Sequence, residues 1–394
     1  MTNDFTKDPN VYYGLDVHQG TISIARIFPE ESPQYVTTIS NNPKDIEAFF
    51  KQELTQYAKI QTTYEAGGCG YHIHHQLTAM GIDNLVAAPS LIPKKPGKRV
   101  KNDKVDACNL AEYLRFGQLV GVHVPHEEQE AFKDLTRQRD AFKKQLRVAR
   151  QQVQGMLRRY GKRYTDGKIS WTMCYWNWLR KVKMPDLGRQ EVLMEYIDNV
   201  EAIGDRIQKI NQRITTLRAQ WRKDSIAKAL ATLRGIDLFT ATSIVAEVDD
   251  FSRFETAGQF MSYLGLTPGE FSSGERVGRN RVISAKVNRG SITKAGNKRL
   301  RWLLVEAAWH YRYLPSKPKA LRTRWEGQPR QVLDHAWKAQ ARLYKKYTIL
   351  NRKGKTSKVA NIAVARELAG FIWSIGLMAE TTLASGPQQP IKVA

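Results

Sequence analysis

Four acidic residues, Asp16, Glu65, Asp103 and Asp106, hold the most legible chemistry in this chain. Asp16 lies near the end of the apolar run Val11-Tyr12-Tyr13-Gly14-Leu15-Asp16-Val17. Glu65 closes a second strand-like stretch, Ile60 to Glu65, just before Ala66-Gly67-Gly68. Asp103 and Asp106 are three residues apart, a spacing that puts both carboxylates on one helical face. An ionised carboxylate in an apolar strand is unfavourable by several kcal/mol unless it is paired or metal-bound. Four such groups able to meet, in a chain with 62 Lys and Arg against 38 Asp and Glu, predict a divalent-cation site that works on phosphates. That is the chemistry of a nuclease or of a strand-transfer enzyme.

The 394 residues suffice for two or three domains, and the net charge of +24 predicts a polyanionic partner bound in a salt-dependent way. The cations cluster. Lys94, Lys95, Lys98, Arg99 and Lys101 precede Asp103, and Lys294, Lys298 and Arg299 belong to a second basic stretch, Lys286 to Arg301. A solvated surface would account for such clusters, but their position beside the acids and beside a second motif favours nucleic-acid contacts. Cys69, Cys108 and Cys174 form no CxxC pair and suit a reducing compartment. The polar start is unlike a signal peptide, and the apolar stretch Ile362–Met378 is broken by Arg366-Glu367, so it reads as a buried helix. A cytoplasmic, nucleoid-associated protein without membrane contact is expected. No Walker A loop is present, so ATP use is not expected. His72, His74 and His75 lack zinc-type spacing and read as helix-surface or phosphate-side residues. His18, on the strand face of Asp16, could touch the site, but a packed strand-end histidine is the favoured reading.

The elements needed to bring the acids together can be placed. Residues 11–18, 21–28 and 34–39 read as strands, the second with the alternation of a half-buried strand. A helix follows at Pro43–Gln56, then the Glu65 strand, a helix near Tyr71–Met80 and a strand at Asn84–Ala88. A helix at Asp103–Arg115 follows, with Asn102 as its N-cap. The order βββαβαβα is that of an α/β RNase H-like, or RuvC-like, domain over residues 1–126. Residues 127–228 read as long helices. Ile203, Ile207, Ile210, Ile214, Leu217 and Trp221 give a coiled-coil seam, either a hairpin within the chain or a dimer interface. Between the helices lies an aromatic, basic insert, Trp171–Lys183, read as a hydrophobic plug in preference to a base-stacking surface. Residues 229–380 read as a mostly α domain that opens on a helix-hairpin-helix at Leu233-Arg234-Gly235-Ile236-Asp237, a turn able to hold a phosphate. Residues 381–394 form a tail.

The second motif is Gly265-Leu266-Thr267-Pro268 with Ser272-Ser273-Gly274, followed by Thr293-Lys294-Ala295-Gly296-Asn297. Together with Gly14-Leu15-Asp16, Tyr64-Glu65-Ala66-Gly67, Asn102-Asp103-Lys104-Val105-Asp106 and Leu233-Arg234-Gly235-Ile236, it resembles the DEDD transposases of bacterial insertion sequences. These include the bridge-RNA-guided recombinases and the Piv-type invertases. The resemblance implies that Asp16, Glu65, Asp103 and Asp106 bind Mg²⁺ or Mn²⁺ and that a serine followed by glycine, here Ser273 with Ser272 beside it, attacks DNA. It also implies donor and target double-stranded DNA, a guide RNA, and a homo-oligomer, dimer or tetramer. The long stretch Glu275–Ile292 and the aromatic insert depart from the family pattern. A RuvC-like hydrolytic nuclease or junction resolvase, using the same acids with water, is the alternative; a decayed, non-catalytic binding protein is disfavoured by the presence of all four acids.

Overall fold

The computed structural model describes residues 11–93, 102–167, 171–271, 276–278, 281–283 and 288–384. The chain divides into two compact units, Met1–Pro125 and His126–Ala394.

In the first unit the elements are β1 (Val11–Val17), β2 (Thr21–Ile27), β3 (Gln34–Ser40), α1 (Pro43–Gln56), β4 (Ile60–Glu65), α2 (His72–Ala79), β5 (Asp83–Ala87) and α3 (Asp103–Arg115). The five strands form one sheet in the order β3-β2-β1-β4-β5; β1 runs antiparallel to β2 and parallel to β4. This mixed α/β arrangement is consistent with the RNase H-like order read from the sequence. β2 differs in one respect. Ile22, Ser23, Ile24 and Ala25 are all buried, so the strand is covered on both faces. Ser23 and Ala25 are small residues buried on the face opposite Ile22 and Ile24, which imitates the alternation of a solvated strand. On one face of the sheet, Ile46 and Phe50 of α1 and Ile73 and Leu77 of α2 cluster with Tyr13, Leu15 and Tyr64. On the other, Tyr113 and Leu114 of α3 cluster with Tyr12, Leu85 and Ala87.

The second unit begins with α4 (Glu127–Arg159), α5 (Met173–Leu179) and α6 (Leu187–Arg218). α4 and α6 form an antiparallel hairpin. Phe132 stacks on Trp221 with ring centroids 4.2 Å apart, Arg139 Nε donates to Asn211 Oδ1 at 2.6 Å, and Arg189 Nε donates to the Tyr160 hydroxyl at 3.1 Å. The seam is therefore buried within the chain, with Ile203, Ile210 and Ile214 inside, although Leu217 stays 44% exposed. At the hairpin tip, Tyr175 and Leu179 pack with Val153, Met156, Leu157, Leu193 and Ile197.

Beyond the hairpin come α7 (Asp224–Leu230), α8 (Leu238–Val248), α9 (Ala257–Tyr263), α10 (Lys298–Ala308), α11 (Lys319–Trp325), α12 (Arg330–Arg352) and α13 (Ser357–Ala384). Two strand pairs not foreseen in the sequence lie between α9 and α10. β6 (Pro268–Phe271) pairs with β9 (Asn288–Ile292), and β7 (Arg276–Gly278) pairs with β8 (Arg281–Ile283). They are short and rich in Gly and Arg, so they carry no apolar periodicity. α13 is long and apolar enough to cross a membrane by length and composition alone. Here Val364, Leu368, Ile372 and Ile375 are fully buried in the core that α7, α8, α9, α10 and α12 share. The turn between α7 and α8 is packed inside the unit: a Cβ on Gly235 would lie 2.5 Å from the Ala307 carbonyl oxygen. Asp237 caps α8 by accepting from the Thr240 N–H at 2.7 Å, and Trp325 Nε1 donates to the Thr232 carbonyl at 2.9 Å.

Candidate active site

Gly14 brings Asp16 and the first turn of α3 together. A Cβ there would lie 2.1 Å from the Ala107 carbonyl oxygen and 2.4 Å from the Ala111 nitrogen, so only glycine lets α3 lie this close to β1. Asp16 stands two residues further along the same strand face, and Asp103 one helical turn before Ala107. A two-residue strand step of about 6.6 Å and a helical turn of about 5.4 Å nearly match, so the two carboxylates arrive side by side. Asn102 caps α3 by accepting from the Lys104 N–H at 3.1 Å, and Lys104 Nζ sits 4.5 Å from the centroid of the Tyr35 ring on β3. Both contacts fix the first turn, whose positive dipole end favours Asp103 and Asp106. Glu65, the last residue of β4, pairs with Ala87 and follows the pair Leu15–Tyr64. By strand alternation its side chain is on the face of Asp16.

Asp16 and Asp103 are bridged by His18, whose Nε2 lies 3.4 Å from Asp16 Oδ2 and 3.5 Å from Asp103 Oδ1. Ligand atoms of these three residues all lie within 4.8 Å of one another; Glu65 and Asp106 stand outside that tight group. Burial raises the Asp16 carboxyl above its ordinary pKa, the His18 ring lowers it, and the charges of Asp103 and Asp106 raise it again. An acid raised by burial and crowded by two other carboxylates is a hard-oxygen donor set, and the residues fit a divalent cation.

His18 takes the less favoured of its two sequence readings, contact with the site. It is no packed strand-end histidine: its side chain is 54% exposed and bonded to two of the acids. Its turn is tethered, since Asn41 Nδ2 donates to the His18 carbonyl at 2.8 Å and Asn41 Oδ1 lies 3.3 Å from His72 Nε2. His72 Nδ1 in turn meets the Cys69 carbonyl at 2.9 Å. The two-residue spacing from Asp16 was visible in the sequence; the tether from two other segments was not.

In the second unit the glycines of the two motifs interlock. At φ +63°, Gly265 sits where a Cβ would be 2.3 Å from the Ala295 carbonyl oxygen; at φ +107°, Gly296 sits where one would be 2.1 Å from that of Tyr263. Lys294 and Lys298 are exposed here, as nucleic-acid contacts require. Arg299 is not. It is 16% exposed and bonds Asp140 of α4 at 2.7 Å and Glu247 of α8 at 2.9 Å, so its charge is used inside the protein. Arg137 of α4 and Asn297, the N-cap of α10, also donate to Glu247, at 2.7 and 3.0 Å. Burial would raise the Glu247 carboxyl, but these hydrogen bonds hold it at about 2. Lys94, Lys95, Lys98, Arg99, Lys101, Ser272 and Ser273 lie outside the described residues.

Known proteins place this architecture. The model of a family described as "Transposase IS116/IS110/IS902 family" matches residues 227–323, and that of the DEDD transposases of the IS110 type matches residues 13–162. The protein of Sinorhizobium fredii named "Putative transposase y4qE" is 39% identical over 373 residues, 94% of this chain and 90% of the relative. The chain belongs to the IS110 family of insertion-sequence transposases. The transposase for insertion sequence element IS1533 of Leptospira borgpetersenii is 30% identical over 348 residues, 88% of this chain and 98% of the relative. That for IS1111A of Coxiella burnetii is 26% identical over 249 residues, 62% and 64% of the two chains. IS110-family membership makes this a DNA-cleaving, strand-transferring enzyme, and the match over residues 13–162 spans all four acids. Residues 163–226, which include the aromatic insert, lie between the two matched ranges.

Proposed function

We propose that this transposase cuts and rejoins DNA through a serine nucleophile, Ser273, acting with the acidic site of the first unit. The observation that supports this reading most directly is the meeting of Asp16, His18 and Asp103 within 4.8 Å, beside Asp106 and Glu65, in a chain of the IS110 family. Asp16, Asp103, Asp106 and Glu65 would hold Mg²⁺ or Mn²⁺. When bound, the metal supplies charge stabilisation for the phosphate and for the departing oxygen. The Ser273 Oγ forms the bond to phosphorus as the P–O3′ bond breaks, leaving a free 3′-hydroxyl and a phosphoserine link to the 5′ side. The serine proton ends in solvent, and the leaving 3′-oxygen gains one. Attack by a second 3′-hydroxyl on the phosphoserine reverses the step and joins new partners, so no bond energy is lost to water. Gly265 and Gly296 clamp the base of the β6–β9 pair, between whose strands Ser273 falls in sequence. Ser272 is its competitor.

The proposal extends to donor and target duplexes selected by a guide RNA, bound through the basic stretch of residues 94–101 and through Lys294 and Lys298. It also includes a dimer or tetramer acting on the nucleoid in the cytoplasm. The test is a denaturing gel of labelled DNA after proteolysis. Wild type gives a strand retarded by a residual peptide; Ser273→Ala gives no adduct and no recombinant product, while Ser272→Ala gives both. Cleavage by wild type without any adduct would instead establish hydrolysis by water.

A further inference from the structure

The hairpin tip holds a feature that the acidic site and the serine leave unexplained. Between the end of α4 and α5 lies a cavity of about 380 Å³. Its walls are aromatic. Tyr164, Tyr175 and Trp178 stand with ring centroids 5.3–5.5 Å apart. Its rim is cationic: Arg158, Lys162 and Arg163 line the same cavity, and Gln154 adds an amide with a donor and an acceptor. Tyr175 is only 1% exposed, yet its hydroxyl finds no hydrogen-bond partner among the described residues. An unpaired buried hydroxyl is unfavourable, and a tyrosine here gains nothing over phenylalanine as a packing residue. A second cavity of about 370 Å³ shares Gln154 and continues along α4, lined by Lys143, Arg147, Arg150 and Trp171. There the Arg150 guanidinium lies 4.9 Å from the Trp171 ring centroid.

We propose that the tip cavity binds one unpaired nucleobase of a single-stranded nucleic acid. The base stacks among Trp178 and Tyr164 and takes the Gln154 amide as a hydrogen-bond partner. Its flanking phosphates lie on Arg158, Lys162 and Arg163. Aromatic walls accept any base face and a basic rim tracks the backbone, which is the general recipe for binding an unstacked strand. A duplex cannot offer its bases to such a cavity, so the site distinguishes an open strand from a closed one. It rests on the nucleic-acid function proposed above and gives the aromatic insert a substrate class of its own.

The experiment uses the full chain and 4-thiouridine- or 4-thiothymidine-labelled single strands, one RNA and one DNA, with the matching duplexes as controls. Affinity is read by anisotropy, and photocrosslinked peptides are identified by mass spectrometry. Crosslinks to Tyr164, Tyr175 or Trp178 are expected, and the arm that gives them names the strand, RNA or DNA. Trp178→Ala should weaken single-strand binding roughly tenfold or more. Tyr175→Phe should leave binding unchanged and thermal stability equal or higher, because it removes an unpaired hydroxyl that is shut off from the cavity. Neutralising Arg158, Lys162 and Arg163 together should lower the log–log salt slope by about two. Unchanged binding in Trp178→Ala, or crosslinks confined to other segments, would make the cavity a packing defect and overturn the proposal. Asp16→Asn carried in parallel separates the readings: it should bind and crosslink like wild type while cutting nothing.

Discussion

Asp16 works against the fold that holds it. Its carboxyl is raised by burial and by the charges of Asp103 and Asp106, with His18 only partly offsetting them. For an acid whose folded pKa lies above its unfolded value, the charged form is the disfavoured one in the native state. Stability therefore falls as pH rises through that range and stays reduced at neutral pH. Asn keeps the shape and removes the charge. Asp16→Asn should thus raise Tm at pH 7 in metal-free buffer while abolishing cleavage. Added Mg²⁺ should raise Tm of the wild type and leave the variant unmoved. A variant melting below wild type in metal-free buffer would show that the crowding of carboxylates is not a stored cost. The same reasoning explains which site residues could be read in advance. Asp16, Glu65, Asp103 and Asp106 stand out as candidates because charge in an apolar strand or at a helix start is locally anomalous. His18 is half legible: its spacing from Asp16 puts it on the same face, but the tether through Asn41 and His72 comes from distant segments.

At the scale of elements, α3 could be delimited from the sequence to the residue. Its cap, its first-turn acids and its apolar face all point the same way, and Asn102 does cap it. Arg299 could not, since its partners Asp140 and Glu247 are 159 and 52 residues away in sequence. Around Glu247, three elements are tied by charge: Arg137 on α4, Arg299 and Asn297 on α10, and the carboxylate itself on α8, 1% exposed. Its pKa of about 2 lies below the ordinary 4.5. The stabilisation is present above about pH 4.5 and is lost as the pH falls toward 2. Glu247→Ala should destabilise the second unit by about 3–5 kcal/mol at pH 7, because two guanidinium groups lose a buried partner. Glu247→Gln should remove the acid-dependent part, so denaturant midpoints of wild type and variant should converge at low pH. Midpoints that stay apart at pH 2 would mean the carboxylate acts by shape and not by charge.

For the whole molecule, the sequence passes from alternation and short strands to long helical repeats and then to an apolar helical stretch, each with its own periodicity. It did not convey how the middle region would be satisfied. The isoleucine seam was compatible with a second chain, and the structure uses it on α4 instead, with Phe132 and Trp221 stacked where the two arms leave the core. A rod closed at its base in this way can be exchanged independently of what lies below it. α4 spans 33 residues and α6 spans 32, so the tip stands roughly 40 Å from that stack. Removing about seven residues from each arm keeps the helical faces in phase and shortens the reach by about 10 Å. Such paired truncations, or transplanting another tip, should leave the acids, the interlocked glycines and the Glu247 network untouched. An insertion-sequence enzyme built this way can change what it grips without re-evolving how it cuts.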